Sequence, residues 1–199
     1  SPDKFTPFYL AITSNISKNL NLSKKQIDIL LRGANLKAHK ENGWDALMAM
    51  FDNNITQNLN FSNEQFDFAI KRSNLYRHTS DKWNALGIAI FTNKDHNLKL
   101  TSEQFDYLIR KSNLKLNNSQ NVSPLMLAIN ELERQELPLN AEQFDYFIKN
   151  SDLSSKDKKN FNALRIALKE KLKPNNKIPF DLEKWEYLIN KSPIIDNIL

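Results

Sequence analysis

The chain is predicted to be all-α, a right-handed, curved α-solenoid of five tandem helix-loop-helix repeats. Three features predict this: a 39-residue period, two apolar stripes of helical spacing within each period, and a capping signal ahead of each stripe. Ala11, Met50, Ala89, Ala128 and Ala167 stand 39 residues apart, as do Gln26, Gln65, Gln104 and Gln143. Periods between about 20 and 50 residues mark stacked supersecondary units rather than a globule around one central pocket. The units run approximately over 5–43, 44–82, 83–121, 122–160 and 161–199, forming a single helical-repeat domain across 1–199.

The first helix of each unit starts at Thr6, Asp45, Asn84, Ser123 or Asn162, whose side-chain oxygens can accept from the free amides of the first turn. Pro7, Ala46, Ala85, Pro124 and Ala163 follow, and proline suits the first helical position because no donor is needed there. Phe5, Trp44, Trp83, Val122 and Phe161 precede the caps, and Leu10, Ala49, Ile88, Leu127 and Ile166 stand four positions beyond them. That spacing is a hydrophobic staple repeated five times. The small column Ala11, Ala89, Ala128 and Ala167, interrupted by Met50, lets neighbouring helices approach closely.

The second helix opens with capping boxes, in which Ser23, Ser62 and Thr101 are followed three residues later by Gln26, Gln65 and Gln104. Asn140 and Gln143 keep the pattern. Behind the caps run Ile27, Leu30 and Leu31, then Phe66, Ala69 and Ile70, then Phe105, Leu108 and Ile109. Phe144, Phe147 and Ile148 follow, and then Trp185, Leu188 and Ile189. Spacings of i, i+3 and i+4 place each set on one core-facing stripe. The helices end near Asn35, Asn74, Asn113, Asp152 and Pro193, and asparagine in the left-handed conformation is expected to terminate them. The fifth unit is two residues longer, since Lys184 lies 41 residues after Gln143, and the extra length falls near Lys173-Pro174-Asn175-Asn176.

Composition narrows the function classes. There is no cysteine, which excludes disulfides, thiolate metal sites and cysteine nucleophiles. Three glycines leave no phosphate-binding glycine loop, and no HExxH or GxSxG string occurs. His39 and His78 are one period apart in equivalent loops, with His96 elsewhere, so a metal site would need ligands gathered from separate units. No apolar run reaches the roughly 20 residues of a membrane span, and no signal-peptide pattern stands at the start. No enzyme chemistry, cofactor or metal is expected. With 28 bases and 23 acids the surface is mixed, which argues against nucleic acid. The acidic column Asp28, Asp67, Asp106, Asp145 and Glu186 could be taken for paired acid-base carboxylates, but Arg32, Lys71, Arg110 and Lys149 four residues after the first four make it read as helix-surface ion pairing.

Two sets of residues are candidates for partner binding. Seven-residue loops at 37–43, 76–82, 115–121 and 154–160 differ between units while the helices stay alike, which is where a repeat array can store specificity. They place Lys37, His39, Lys40, Tyr76, Arg77, His78, Lys82, Lys115, Lys156, Lys158 and Lys159 on a basic edge that reads as solvated charge or as a site for an acidic partner. The column Ile29, Phe68, Tyr107, Tyr146 and Tyr187 reads as inter-repeat packing or as an exposed aromatic strip.

Thr6-Pro7-Phe8-Tyr9-Leu10-Ala11 and Ser123-Pro124-Leu125-Met126-Leu127-Ala128 resemble the ankyrin opening, although the period here is 39 rather than 33. The EQFDYLI-type helices at Glu64 to Ile70, Glu103 to Ile109 and Glu142 to Ile148, with 27 asparagines, 22 lysines and only six arginines, carry a second resemblance. They resemble the N-terminal repeat domain of rickettsial surface-antigen autotransporters that assemble actin in the manner of formins. That resemblance implies a passenger-domain segment on the surface of, or secreted by, an intracellular bacterium, exposed to host cytosol and binding actin to nucleate and elongate filaments. A chain that begins at Ser1 and ends in repeat-like sequence is expected to be a piece of a longer protein. The alternatives are an ankyrin-like effector scaffold for another host protein and, behind it, a helical-repeat RNA binder.

Overall fold

The computed structural model describes residues 6–174 and 178–193, so Phe5, Asn175, Asn176 and Ile194 lie outside the described residues. Among those described there are ten helices and no strand. They are α1 (Pro7–Ser14), α2 (Lys24–Arg32), α3 (Ala46–Asn53), α4 (Asn63–Arg72), α5 (Ala85–Thr92), α6 (Ser102–Lys111), α7 (Pro124–Glu131), α8 (Ala141–Asn150), α9 (Ala163–Lys171) and α10 (Leu182–Lys191).

Capping chemistry sets each start. Thr6, Asp45, Asn84, Ser123 and Asn162 accept from the backbone N–H three residues on, and α2, α4, α6 and α8 open on complete capping boxes. In α10 the cap is Asp181, and Lys184 replaces the box glutamine, donating its Nζ to the Asp181 carboxylate at 2.6 Å.

Helices of eight to ten residues are marginal alone in water, so packing holds them. The odd-numbered helices pack in succession from α1 to α9, and the even-numbered ones do the same from α2 to α10. Between these two rows lies a continuous core in which Phe8, Phe51, Phe66, Phe105, Phe144 and Phe147 are buried. Full burial of a side chain of this size stabilises by about 1.5–3 kcal/mol. The last stripe departs from expectation at Ile189, which is 55% exposed, whereas Leu31, Ile70, Ile109 and Ile148 in the same column are buried. Each of those four is on a helix with a later helix packed on its row; among the described residues none follows α10.

The left-handed residues are not where the sequence placed them. Asn35, Asn74 and Asn113 do not take positive φ; each instead accepts at Oδ1 from the N–H two residues on, and Asp152 does likewise. Positive φ occurs in three other columns: Asn19, Asn58, Asn97 and Glu136 after the first helices, Asn21, Asn60 and Lys99 two residues further on, and Gly43, Lys82, Asn121 and Asn160 in the loops. An Asx turn satisfies the backbone after the second helix without a reversal of φ.

Buried asparagines tie successive units together. Asn15, Asn54 and Asn93 accept at Oδ1 from the N–H groups of Leu22, Phe61 and Leu100 at 3.0, 2.8 and 3.1 Å. Their Nδ2 groups donate to the carbonyls of Gln57, His96 and Gln135, about one unit away, at 2.8, 2.9 and 3.1 Å. In the next unit Leu132 holds this position, and the carbonyl 42 residues on belongs to Pro174, beside the two-residue insertion. The asparagine column therefore ends where its acceptor loop changes. Gln104 and Gln143 add a second tie, donating back to the carbonyls of Asn63 and Ser102 at 2.7 and 2.8 Å.

Candidate protein-binding surface

Each loop is built by the same few backbone bonds. The N–H groups of Lys40, Thr79, Asn118 and Asp157 donate to the carbonyls of Trp44, Trp83, Val122 and Phe161 at 2.8–3.1 Å, closing a turn over the left-handed residue. Neighbouring loops are joined, since Ser80 N–H donates to Asn42 carbonyl and Ser119 N–H to Asp81 carbonyl. Gly43 is needed here: its φ is +83°, and a Cβ would lie 2.1 Å from the His78 carbonyl oxygen.

This register sets Lys37, Tyr76 and Lys115 at one loop position in three successive units, all three exposed, with Tyr76 68% accessible. Tyr76, Arg77 and His78 line an open groove of about 440 Å³ together with His39 of the preceding loop. His39 and His78 adopt the same pose, with Nδ1 2.8 and 2.9 Å from the carbonyl oxygen of the next residue. Lys82 and Lys158 are exposed on their own loops, outside that groove. Lys40 is half-buried, with its ammonium 5.8 Å from the Tyr9 ring centroid.

Arg77 has an internal role that its position in the sequence does not disclose. Its Nε is buried without a hydrogen-bond partner, and its charge acts on Asp45, the N-cap of α3, which is 1% exposed. Burial pushes the Asp45 carboxyl up to about 6, against hydrogen bonds from Met48 and Leu47 N–H and the nearby charges of Arg77 and His39.

The aromatic column on the even helices is half-buried and packs against the core at Phe68, Tyr107, Tyr146 and Tyr187, whereas Ile29 at its head is 62% exposed. Arg32 and Arg72 lie 5.3 and 4.5 Å from the Phe68 ring centroid, and Arg110 lies 4.6 Å from that of Tyr146. At Phe68 and Tyr146 the column is thus packed beneath cations. Arg32 and Arg110 belong to the i, i+4 pairs read from the sequence, which form at Asp28–Arg32, Asp67–Lys71, Asp106–Arg110 and Asp145–Lys149; Arg72 lies outside that set. Arg110 and Lys149 also reach Glu142 and Glu183 on the next even helix, at 3.4 and 3.8 Å.

The odd-helix row carries apolar surface that the staple pattern assigned to structure. Trp44, Trp83, Val122 and Phe161 are half-buried, while Leu10 and Phe91 are exposed at 47% and 46%. The signal available in the sequence was one column, Trp44, Trp83, Val122, Phe161, whose size falls at Val122. Among the described residues no cluster of three His, Asp or Glu could hold a metal ion, and no helix is long and apolar enough to cross a membrane. No protein-family model matches the chain, and no curated protein is similar to it.

Proposed function

We propose that the chain is a curved, right-handed α-solenoid of five helix-loop-helix repeats that serves as a non-catalytic protein-binding scaffold. Its partner in this reading is actin, and its output is filament nucleation and elongation. The observation that supports protein binding is the placement of charge. The four loops at 37–43, 76–82, 115–121 and 154–160 hold eight bases and three acids, a surplus of five that equals the net charge of the whole chain. Elsewhere 20 bases balance 20 acids. A basic edge on an otherwise neutral array steers an acidic protein surface toward the loops and fixes its orientation. Repetition of that edge lets several weak contacts act together, holding subunits side by side. The choice of actin and the setting on a bacterial surface in host cytosol rest on the resemblance to the rickettsial repeat domain.

The test is co-sedimentation with filaments and anisotropy with labelled monomer at physiological salt, with RNA as competitor. Saturable binding that survives RNA and is lost in K37E/K115E/K158E supports the reading. Arg77 is left out of that variant because reversing it would disturb Asp45. Binding to neither actin form sinks the actin assignment. A second reading, an ankyrin-like scaffold for a different acidic protein, is favoured by the loops, which give each unit the turn-plus-two-helices organisation of that class and are hydrogen-bonded in series.

A further inference from the structure

Between α7 and α9 lies a pocket of about 230 Å³ whose apolar lining is Val122, Met126, Leu127, Phe161 and Ile166. Its origin is a missing indole. The residue ahead of the first-helix cap is Trp44 in the second unit and Trp83 in the third, but Val122 in the fourth. In the third unit the residue four positions after the tryptophan is Gly87, where a Cβ would stand 3.2 Å from Trp83 Cε3. The fourth unit has Met126 at that position, but Met126 does not replace the indole, because the second unit carries both Trp44 and an equally buried Met48. The fourth unit keeps the methionine and lacks the ring, and the volume stays open.

The rim is basic. Lys159 and Lys169 line the pocket, are exposed, and form no ion pair among the described residues. The acid that also lines it, Asp157, has its Oδ1 engaged by the backbone N–H groups of Lys159 and Phe161 at 2.9 and 2.8 Å.

We propose that this pocket is the docking point for one large apolar side chain of a partner protein segment that carries carboxylates beside it. The proposal rests on the protein-binding reading above and adds the site and the chemistry of what it takes. Volume argues for a side chain: small-molecule pockets begin near 300 Å³, and this one is smaller. Charge complementarity argues for acidic flanks, because Lys159 and Lys169 would otherwise remain unpaired beside a desolvated contact. An apolar anchor in a pocket ringed by polar groups is the arrangement in which interface energy concentrates.

The test is to pan a phage-displayed library of random linear peptides on the whole chain and measure the enriched peptides by fluorescence anisotropy. The expected consensus is one leucine, methionine or phenylalanine flanked by aspartate or glutamate. Val122→Trp, which restores the tryptophan-methionine pair of the second unit, is expected to weaken these peptides by ~10-fold or more, the scale of losing a buried anchor. K159E/K169E is expected to weaken them by a margin that grows as salt is lowered, while K24E/K25E, the same charge change on the exposed start of α2, leaves them unchanged. Far-UV circular dichroism and the thermal midpoint establish that each variant is folded, and the lysine variant carries the test if V122W is not. Peptides that bind V122W and K159E/K169E as tightly as wild type but lose affinity in K37E/K115E overturn the pocket and leave the protein-binding reading standing. No enrichment over a bare-plate control overturns the pocket and counts against both.

Discussion

Replacing Asp45 with asparagine should make the protein more stable at neutral pH by removing a buried charge while keeping the cap. Asn84 and Asn162 fill the equivalent position and cap α5 and α9 with the same acceptor geometry, and Asn caps as well as Asp. The Asp45 carboxyl goes from 3.8 to about 6 on folding, chiefly through burial. At about 1.4 kcal/mol per unit, that is roughly 3 kcal/mol of linked stability. The folded value is the higher one, so the stabilising effect of proton uptake is complete below pH 3.8 and fades as pH rises through about 6. Above that, the folded state holds an ionised carboxylate in a desolvated site. Wild type should therefore lose about 2 kcal/mol relative to D45N between pH 4 and pH 7.5, the rest of the effect falling below pH 4, with the other carboxylates common to both proteins and cancelling in the difference. The assay is urea unfolding across that range, followed by tryptophan fluorescence and far-UV circular dichroism to establish that one transition is being measured. A wild-type-minus-variant difference that stays flat with pH would refute the argument.

Three further outcomes follow from the contacts between units. Asn54→Ala strands the Phe61 N–H and removes the donor to the His96 carbonyl, so unfolding free energy should fall by about 2–3 kcal/mol and the Phe61 amide should exchange faster. Gly43→Ala should cost more than about 1 kcal/mol in chemical denaturation, because its left-handed φ and the nearby His78 carbonyl leave no room for a Cβ. Gln104→Ala should destabilise more than Gln26→Ala, by about 1 kcal/mol, since both lose a capping bond but Gln104 also loses its donation to Asn63. Equal effects of the two glutamine changes in a urea titration would show that the cross-unit bond adds nothing.

The caps, capping boxes and helix stripes were legible because each is a relation within three or four residues, and their 39-residue recurrence supplied four or five readings of each pattern. The i, i+4 ion pairs were legible for the same reason. The asparagine column was visible as Asn15, Asn54 and Asn93, yet its meaning was not, because the acceptor carbonyls lie 42 residues away. The loop candidates divide in a way no sequence pattern announces. Tyr76 is 68% exposed, whereas Arg77 beside it has a buried Nε and a charge that acts on Asp45.

By itself, the sequence determined that the chain is helical, where α1 to α9 start, which stripe of α2, α4, α6 and α8 faces the core, and that the surplus positive charge lies in the loops. These follow from local hydrogen bonding, helical periodicity and residue charge, which need no knowledge of neighbours. Tertiary structure alone decided which aromatics are covered, where the left-handed residues fall, that the Asp45 cap is desolvated, and that a gap opens beside Val122. Those depend on what stands one unit away, where packing sets the dielectric around a carboxylate and the space left beside a side chain.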